Sequence, residues 1–336
     1  MSSDAVPNAP ARVTASVVIA AYTFDRWDQL VKAVDALQSQ TRPPLEVVLS
    51  IDRNDELSRV CQERWSNASL SVPVVVVANR FAHVPKTSTE ANSDGVVRGY
   101  SGGGARNTGA EIARGDVVVI SDDDAWAEPD WLEHLLAPYD DPDVVAVGGC
   151  PLPEFETSRP RWFPSNFDWI FGCAYEGLPT ALAPTQRLIG ANLSVRADAF
   201  RHLGGFKSAD FDDLDMCTRL AHEFPNSRIM FEPRAVVHHY VPKKRVSWHY
   251  FWTRSFLVNR DKVQAFDTMG EAADMSAERS FVLRAFQVQT VRGFRQLAKG
   301  DVDGLWQLGA MIAGIALAGF GNITGRYLLW RDARRR

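Results

Sequence analysis

The chain has 336 residues, with 37 Lys and Arg against 41 Asp and Glu and a formal net charge of −4. That length suffices for one large α/β domain or two modest ones with a real core, and an acidic balance with no basic face before the last few residues excludes a nucleic-acid binder. Cys61, Cys150, Cys173 and Cys217 are scattered without a close pair, which points away from a zinc site or a disulfide framework and fits a reducing cytosol.

The opening "MSSDAVPNAPARV" has no basic segment followed by an apolar core, so residues 1–12 read as a flexible tail rather than a signal peptide. "ASVVIAAY" (15–22), "EVVLSID" (46–52) and "VPVVVVAN" (72–79) then read as buried strands, the first two followed by polar segments of helical spacing. "ARNTGAEIARG" (105–115) predicts a short helix closed by a Gly. It leads into the strand Val117–Ile120; "EPDWLEHLLAPY" predicts a helix with Pro129 in its first turn, and "DVVAVGG" (143–149) a strand. Strands separated by helices of this length imply a mostly parallel sheet. Residues 150–190 are rich in Pro and aromatic residues and show no regular period; that aromatic content argues against disorder. "RLIGANLSVRADAFRHLGGF" reads as strand, turn and short helix, "DFDDLDMCTRLAHEF" as a helix with acidic first-turn residues, and "RIMFEPRAVVHHYVP" as extended chain. From Gly304 to Gly325 there is no charge, and a basic tail follows. Crossing a bilayer takes about 20 predominantly apolar residues, but Gln307, Asn322, Thr324 and recurring Gly interrupt this run. Three placements stay open: spanning the membrane, lying on its surface with the basic tail at the headgroups, or packing on the domain.

The stretch "VVVISDDDAWAEPDW" (117–131) drives a β-branched buried strand straight into Asp122, Asp123 and Asp124. The carboxyl edge of an open α/β sheet is where ligands bind. Three adjacent carboxylates raise one another's proton affinity unless a cation neutralises them, and a hard divalent ion with oxygen ligands does so. Read alone, the triplet also suits a solvated turn or a helix cap; its place after a buried strand favours the ligand site. "SGGGARNTG" lacks the Gly-Lys-Ser ending and the G-x-G-x-x-G spacing of the known phosphate loops. It is either a flexible loop entering a helix or backbone that approaches an anion, with Arg106 able to pair with phosphate. Asp212 and Asp213 cap a helix or accept a proton, and His238 and His239 are structural or ligating.

Taken in order, these motifs resemble the inverting glycosyltransferases of family two with the GT-A fold. The carriers are the strand ending "AAY", Asp52 after the second strand, "GGGARNTG", "DDD" followed by "EPDWL", "IGANLSVRADAFRHLGGF", "FDDLDMCTRL" and "VHHYVPKKR". The resemblance implies an α/β GT-A fold, a mostly parallel sheet flanked by helices with a C-terminal helical extension. It divides the chain into a catalytic domain over 13–260, with a nucleotide-binding half (13–125) and an acceptor-binding half (126–260), and a helical, membrane-associated region over 261–336. The implied activity is transfer of a sugar from a nucleotide diphosphate, a UDP-sugar foremost and UDP-glucuronate among the candidates, to a hydroxyl of a lipid-linked sugar or glycan. "FDWIFGCAYEGLP" and "RLIGANLSVR" are similar to enzymes acting on glycosylated polyprenyl phosphate.

By that resemblance Asp122 and Asp124 form the D-x-D motif, one holding the ribose and the other a divalent metal at the diphosphate, with Asp123 able to substitute for Asp122. Arg106 and Asn107 line the nucleotide-sugar site, Asp52 accepts the uracil imide proton, and Ala21 and Tyr22 lie where residues contact the base. The chain departs from the family's Pro-Thr-Tyr-Asn type start with Ala20, Ala21, Tyr22 and Thr23. Asp213 is the general base and Asp212 the runner-up, with Arg219 placed to orient the base. The pattern H-x-V-P-x-x-R falls on His239, Val241, Pro242 and Arg245. His239 is then a metal ligand beside Asp124, its imidazole suiting Mn2+ more than Mg2+, and Arg245 touches the diphosphate. Trp169, Arg187 and Asn192 are acceptor-side candidates, Arg187 also a partner for a glucuronate carboxylate. The implied location is cytoplasmic, peripheral on the inner face of the membrane, with the sugar donor, the acceptor and the membrane surface as partners and no nucleic acid. Two rivals remain. One is a nucleotide-sugar or glycan binding protein of the same fold without catalysis; the other is a sugar nucleotidyltransferase, whose early "G-x-G-T-R" loop is missing here.

Overall fold

The computed structural model describes residues 12–65, 69–80, 102–207, 211–269, 290–291, 297 and 302–334. The expected tail lies outside them up to residue 11, as does part of the expected 261–336 region. Four apolar runs, β1 (Ala15–Ala21), β2 (Glu46–Ile51), β3 (Val74–Ala78) and β4 (Val117–Asp122), pair in the order β3-β2-β1-β4, all parallel. Every residue of β1 and β2 is buried, as strands covered on both faces by crossover helices must be. Those helices are α1 (Trp27–Gln38), α2 (Asp55–Trp65) and α3 (Gly102–Ile112). The last begins three residues before the expected start, inside the glycine run.

Beyond β4 the sheet becomes mixed. Its full path is β3-β2-β1-β4-β8-β6-β9-β5, where β5 is Ala125–Ala127, β6 Val144–Phe155, β8 Asn192–Arg196 and β9 Arg228–Val241, and the short β7 (Ala183–Pro184) joins β9 from the side. β8 runs antiparallel to both β4 and β6, because the chain reaches it from the irregular segment rather than through a crossover helix. β6 outruns the expected 143–149 strand and continues through Pro151 and Pro153. There only β9 is bonded to it, since β8 stops pairing at Gly148, so prolines without an N–H cost no ladder bond on the open side. The expected helix around Pro129 is shorter, α4 (Trp131–Leu136) with a 3-10 turn after it, and Pro129 lies before it.

Two apolar layers cover the sheet. One joins α1, α2 and α4 to one face, the other joins α3, α5 (Ala197–His202) and α6 (Asp212–Glu223) to the opposite face. The aromatic-rich segment makes a third cluster. Phe163, and Phe167 from the 3-10 helix Ser165–Phe171, pack against Phe251 of α7 (Trp248–Met269), and Phe171 stacks on Phe163. The uncharged C-terminal run is one helix, α8 (Asp303–Ala333), lying along α7. Glycine allows that approach: a Cβ at Gly321 would stand 2.3 Å from the Phe256 carbonyl oxygen, and one at Gly325 2.4 Å from that of Arg260. The outer face of α8 exposes Trp306, Phe320, Ile323 and Tyr327, each by more than half. By length and composition this helix could cross a membrane.

Candidate active site

The carboxyl ends of β1, β2 and β4 lie side by side on one edge of the sheet, and strand register brings the charged groups to it. β4 ends at Asp122, the chain turns, and β5 pairs antiparallel with β9 so that Ala125 lies opposite His239. The Tyr240 N–H donates to the Asp124 carbonyl at 2.9 Å and locks that crossing. His239 is thereby delivered beside the D-x-D motif, its Nε2 lying 3.1 Å from Asp124 Oδ1 and 3.9 Å from Asp122 Oδ2. One ligand atom from each of Asp122, Asp124 and His239 falls within 4.8 Å of the other two. Two carboxylates and an imidazole at that spacing fit a divalent cation.

Charges around the triad are managed by arginines. Arg26, just before α1, reaches Asp123 at 2.6 Å and Asp124 at 3.2 Å. Burial pushes Asp124 upward, but His239 and Arg26 outweigh it and hold this carboxyl well below the usual range. For His239, burial alone would lower the imidazole, yet Asp124 raises it well above its ordinary value. Cys173 Sγ sits 3.5 Å from its Nδ1, so the ring is gripped on both sides. Gly172, at φ 74, closes the preceding 3-10 helix, and a Cβ there would stand 3.3 Å from His239 Cε1.

Arg106, in the first turns of α3, joins two acidic groups. Its Nη2 donates to Asp122 Oδ1 at 2.5 Å, while Nη1 donates to Asp212 at the start of α6. Asp212 Oδ1 accepts from the Asp213 N–H at 2.9 Å, and Asp213 Oδ2 accepts from the Gly190 N–H at 3.2 Å. Burial, with Asp212 next in size, pushes the Asp213 carboxyl up to about 6. A carboxylate poised there, lining a cavity, has the makings of a general base.

Several expected site residues are placed otherwise. Asp123 is 3% exposed and committed to Arg26, so it props the triad rather than substituting for Asp122. Asn107 spends its amide on both sides of Phe206, donating to its carbonyl and accepting from its N–H, and so ties the loop after α5 to α3. Asn192 is fully buried between the Ala235 carbonyl and the Trp131 indole, a sheet strut rather than an acceptor contact. Ala21 is core, its carbonyl taken by the Asp52 N–H. Arg219 clamps Asp215 and the carbonyls of Leu203 and Gly205, not Asp213.

The remaining candidates converge on the crevice and the cavity beside it. Asp52 is buried at the end of β2, accepting from Asn79 Nδ2 at 2.7 Å, and the next residue, Arg53, takes a left-handed φ of 47. Tyr22 follows β1, with the Arg26 guanidinium 6.0 Å from its ring centre. Arg245 ends the 3-10 turn after β9 and contributes to the lowering of Asp124. Trp169 and Arg187 line the cavity together with Asp213. Sequence reasoning missed Arg26 and Cys173. Arg26 does end the short turn between the first strand and α1, where a helix starts beside the ligand edge, and that position was its signal.

Residues 97–204 match the family described as Glycosyl transferase family 2. The Glucosyl-dolichyl phosphate glucuronosyltransferase of Haloferax volcanii is 28% identical over 322 residues, 92% of this chain and 95% of that protein. Among solved structures, the mannosyltransferase PcManGT from Pyrobaculum calidifontis, in complex with GDP-Man and Mn2+, is 22% identical with a TM-score of 0.54, over 98% of this chain and 82% of that one. GalNAc-T7 with UDP, GalNAc and Mn2+ is 16% identical with a TM-score of 0.51, over 82% of this chain and 55% of that one. At these identities the two structures show a shared fold.

Proposed function

Because this chain is a glycosyltransferase carrying a family 2 domain on the GT-A fold, we propose that it transfers a sugar, with inversion, from a nucleotide diphosphate donor to a hydroxyl of a lipid-linked sugar or glycan. A UDP-sugar is the foremost donor, and Asp52 and Tyr22, which follow β2 and β1, are the groups proposed to meet its base. One observation carries this reading: Arg106 ties the metal-fitting triad to the Asp212 and Asp213 pair, so donor and base occupy two ends of one short side-chain chain. The name of the Haloferax volcanii relative, with its glucosyl-dolichyl phosphate, supports the lipid-linked acceptor.

Asp122, Asp124 and His239 would hold the divalent ion, Mn2+ ahead of Mg2+ because of the imidazole. When bound, it supplies positive charge against the departing diphosphate. Arg245 adds a fixed cation on the same side. Asp213 takes the proton from the attacking hydroxyl, and Asp212, held by Arg106, fixes the turn that aims it. The exposed apolar face of α8 serves as the membrane contact, which brings the site to its lipid.

A thermal-shift panel of UDP- and GDP-sugars, with Mn2+ and with chelator, tests the reading, since a ligand that binds the native state raises its melting temperature. The expected result is a shift with UDP-sugars that needs the metal. No shift with any nucleotide sugar would overturn it. A shift without donor turnover would leave a binding protein instead.

A further inference from the structure

Beside Asp213 lies a cavity of about 290 Å3. Its charged lining is mixed in sign, Asp213 and Asp261 sharing it with Arg187, Arg254 and Lys262. An alkyl chain there would shut those groups away from water without a partner, and an oxyanion would face two carboxylates. Hydroxyls suit both signs at once, because each can donate to a carboxylate and accept from a cation. Apolar side chains complete the wall, Trp169 and Leu188 among them. A neutral sugar ring matches this lining, with hydroxyls at its rim and apolar C–H faces.

Trp169 is presented to the cavity on a firm support. From Asn166 to Phe171 it is the one residue of the 3-10 helix that is not buried. The carboxylate of Asp168, just before it, accepts from both terminal nitrogens of Arg159 at 2.8 and 2.6 Å, and the Trp169 carbonyl accepts from the Gly172 N–H at 3.0 Å. Its ring leans on Phe167, with 5.7 Å between centres at 38°. An indole held in this way offers a flat face whose negative charge attracts the C–H groups of a sugar, at little cost in side-chain entropy. Gly172 lines the same cavity, and a Cβ there would stand 3.3 Å from His239 Cε1. The wall thus includes both the proposed base and the glycine beside a ring of the metal-fitting triad. We infer that this cavity is the subsite for the terminal sugar of the acceptor, a neutral pyranose whose ring lies on Trp169 while its attacking hydroxyl meets Asp213. The inference rests on the proposed transfer to a lipid-linked sugar. A donor sugar shares this chemistry, and the test separates the two.

The test uses the full chain with Mn2+ and the hexyl glycosides of glucose, galactose and mannose in both anomers, with hexanol as control, followed by saturation-transfer NMR. At least one glycoside should bind, its ring C–H protons saturated more strongly than its hexyl chain, and hexanol should not bind. Trp169→Leu should weaken that glycoside roughly tenfold, the scale of one aromatic contact with its buried area, at unchanged affinity for UDP. Trp169→Tyr should recover part of the loss. In transfer assays Trp169→Leu should raise the KM of the acceptor more than it lowers kcat. Binding of no glycoside, saturation led by the hexyl chain, or equal affinity in wild type and Trp169→Leu overturns the subsite, and the wild-type spectra decide the matter even if that variant does not fold. So does a loss of UDP-glucose affinity with glycoside binding intact, which would assign the cavity to the donor sugar. Trp169-dependent glycoside binding in a protein that transfers no sugar from any donor would sink the transfer reading and leave the subsite standing. Transfer by Trp169→Leu at the wild-type acceptor KM would do the reverse.

Discussion

Arg106, expected beside the donor phosphate, is paired in the fold with two protein carboxylates. A glycine-rich loop with an arginine suggests a phosphate clamp, yet here the guanidinium is spent on Asp122 and Asp212, both partly buried. It acts as the internal counter-ion that lets two acidic groups approach. Removing one partner of a buried ion pair is costly, about 3 kcal/mol. Arg106→Ala should therefore lower the melting temperature, and saturating Mn2+ should recover part of the loss by supplying the missing positive charge at Asp122. A melting temperature equal to wild type without metal would show that the pair carries no weight. Asn107 and Asn192 were legible as polar residues near motifs, but not in direction. A side-chain amide bonds equally well to backbone or ligand, and only the fold shows that both turn inward.

At the scale of elements, β1 to β4 were legible because continuous β-branched runs between helical segments admit few other structures. β8 was not placed antiparallel by its sequence, since neighbours in a sheet follow from how the chain returns rather than from the strand's own residues. The 3-10 helix Ser165–Phe171 was hidden for a similar reason: its order comes from Phe163 and Phe251 packing, not from any local period. In α8 the glycines split into two kinds that sequence cannot separate. Gly321 faces the α7 backbone, whereas nothing lies within 4 Å of a Cβ at Gly319. Gly319→Ala should stabilise the protein by about 1 kcal/mol through helix propensity alone. Gly321→Ala should destabilise it by about 1–3 kcal/mol through overpacking. Thermal unfolding of the two variants side by side checks this, and equal shifts would contradict the close packing of α8 on α7.

For the whole molecule, the fold sets out four features: the parallel edge where β1, β2 and β4 end, the Asp122, Asp124 and His239 triad that could hold a metal, a half-buried Asp213 on α6, and an apolar helix packed on α7. If the outer face of α8 meets lipid, Phe320→Gln with Ile323→Gln should markedly reduce flotation with liposomes. Unchanged flotation would place the membrane contact elsewhere. The grouping of Asp122, Asp124 and His239 was legible because they follow in chain order at or near the ends of β4 and β9, and the acidic pair was legible as the start of α6. The ion pairs Arg26–Asp123 and Arg106–Asp212 were not, because they join residues roughly a hundred positions apart. Transfer by Asp213→Asn, with UDP and Mn2+ affinity measured in parallel, tests the proposed chemistry most directly. A general base contributes typically about 10²–10⁴-fold, so the variant should lose roughly that much rate at unchanged UDP affinity. Wild-type kcat/KM should fall as pH drops below about 6, where burial and Asp212 keep the Asp213 carboxyl protonated, and the variant should lack that limb. Wild-type transfer by Asp213→Asn, with the same pH profile, would contradict the mechanism.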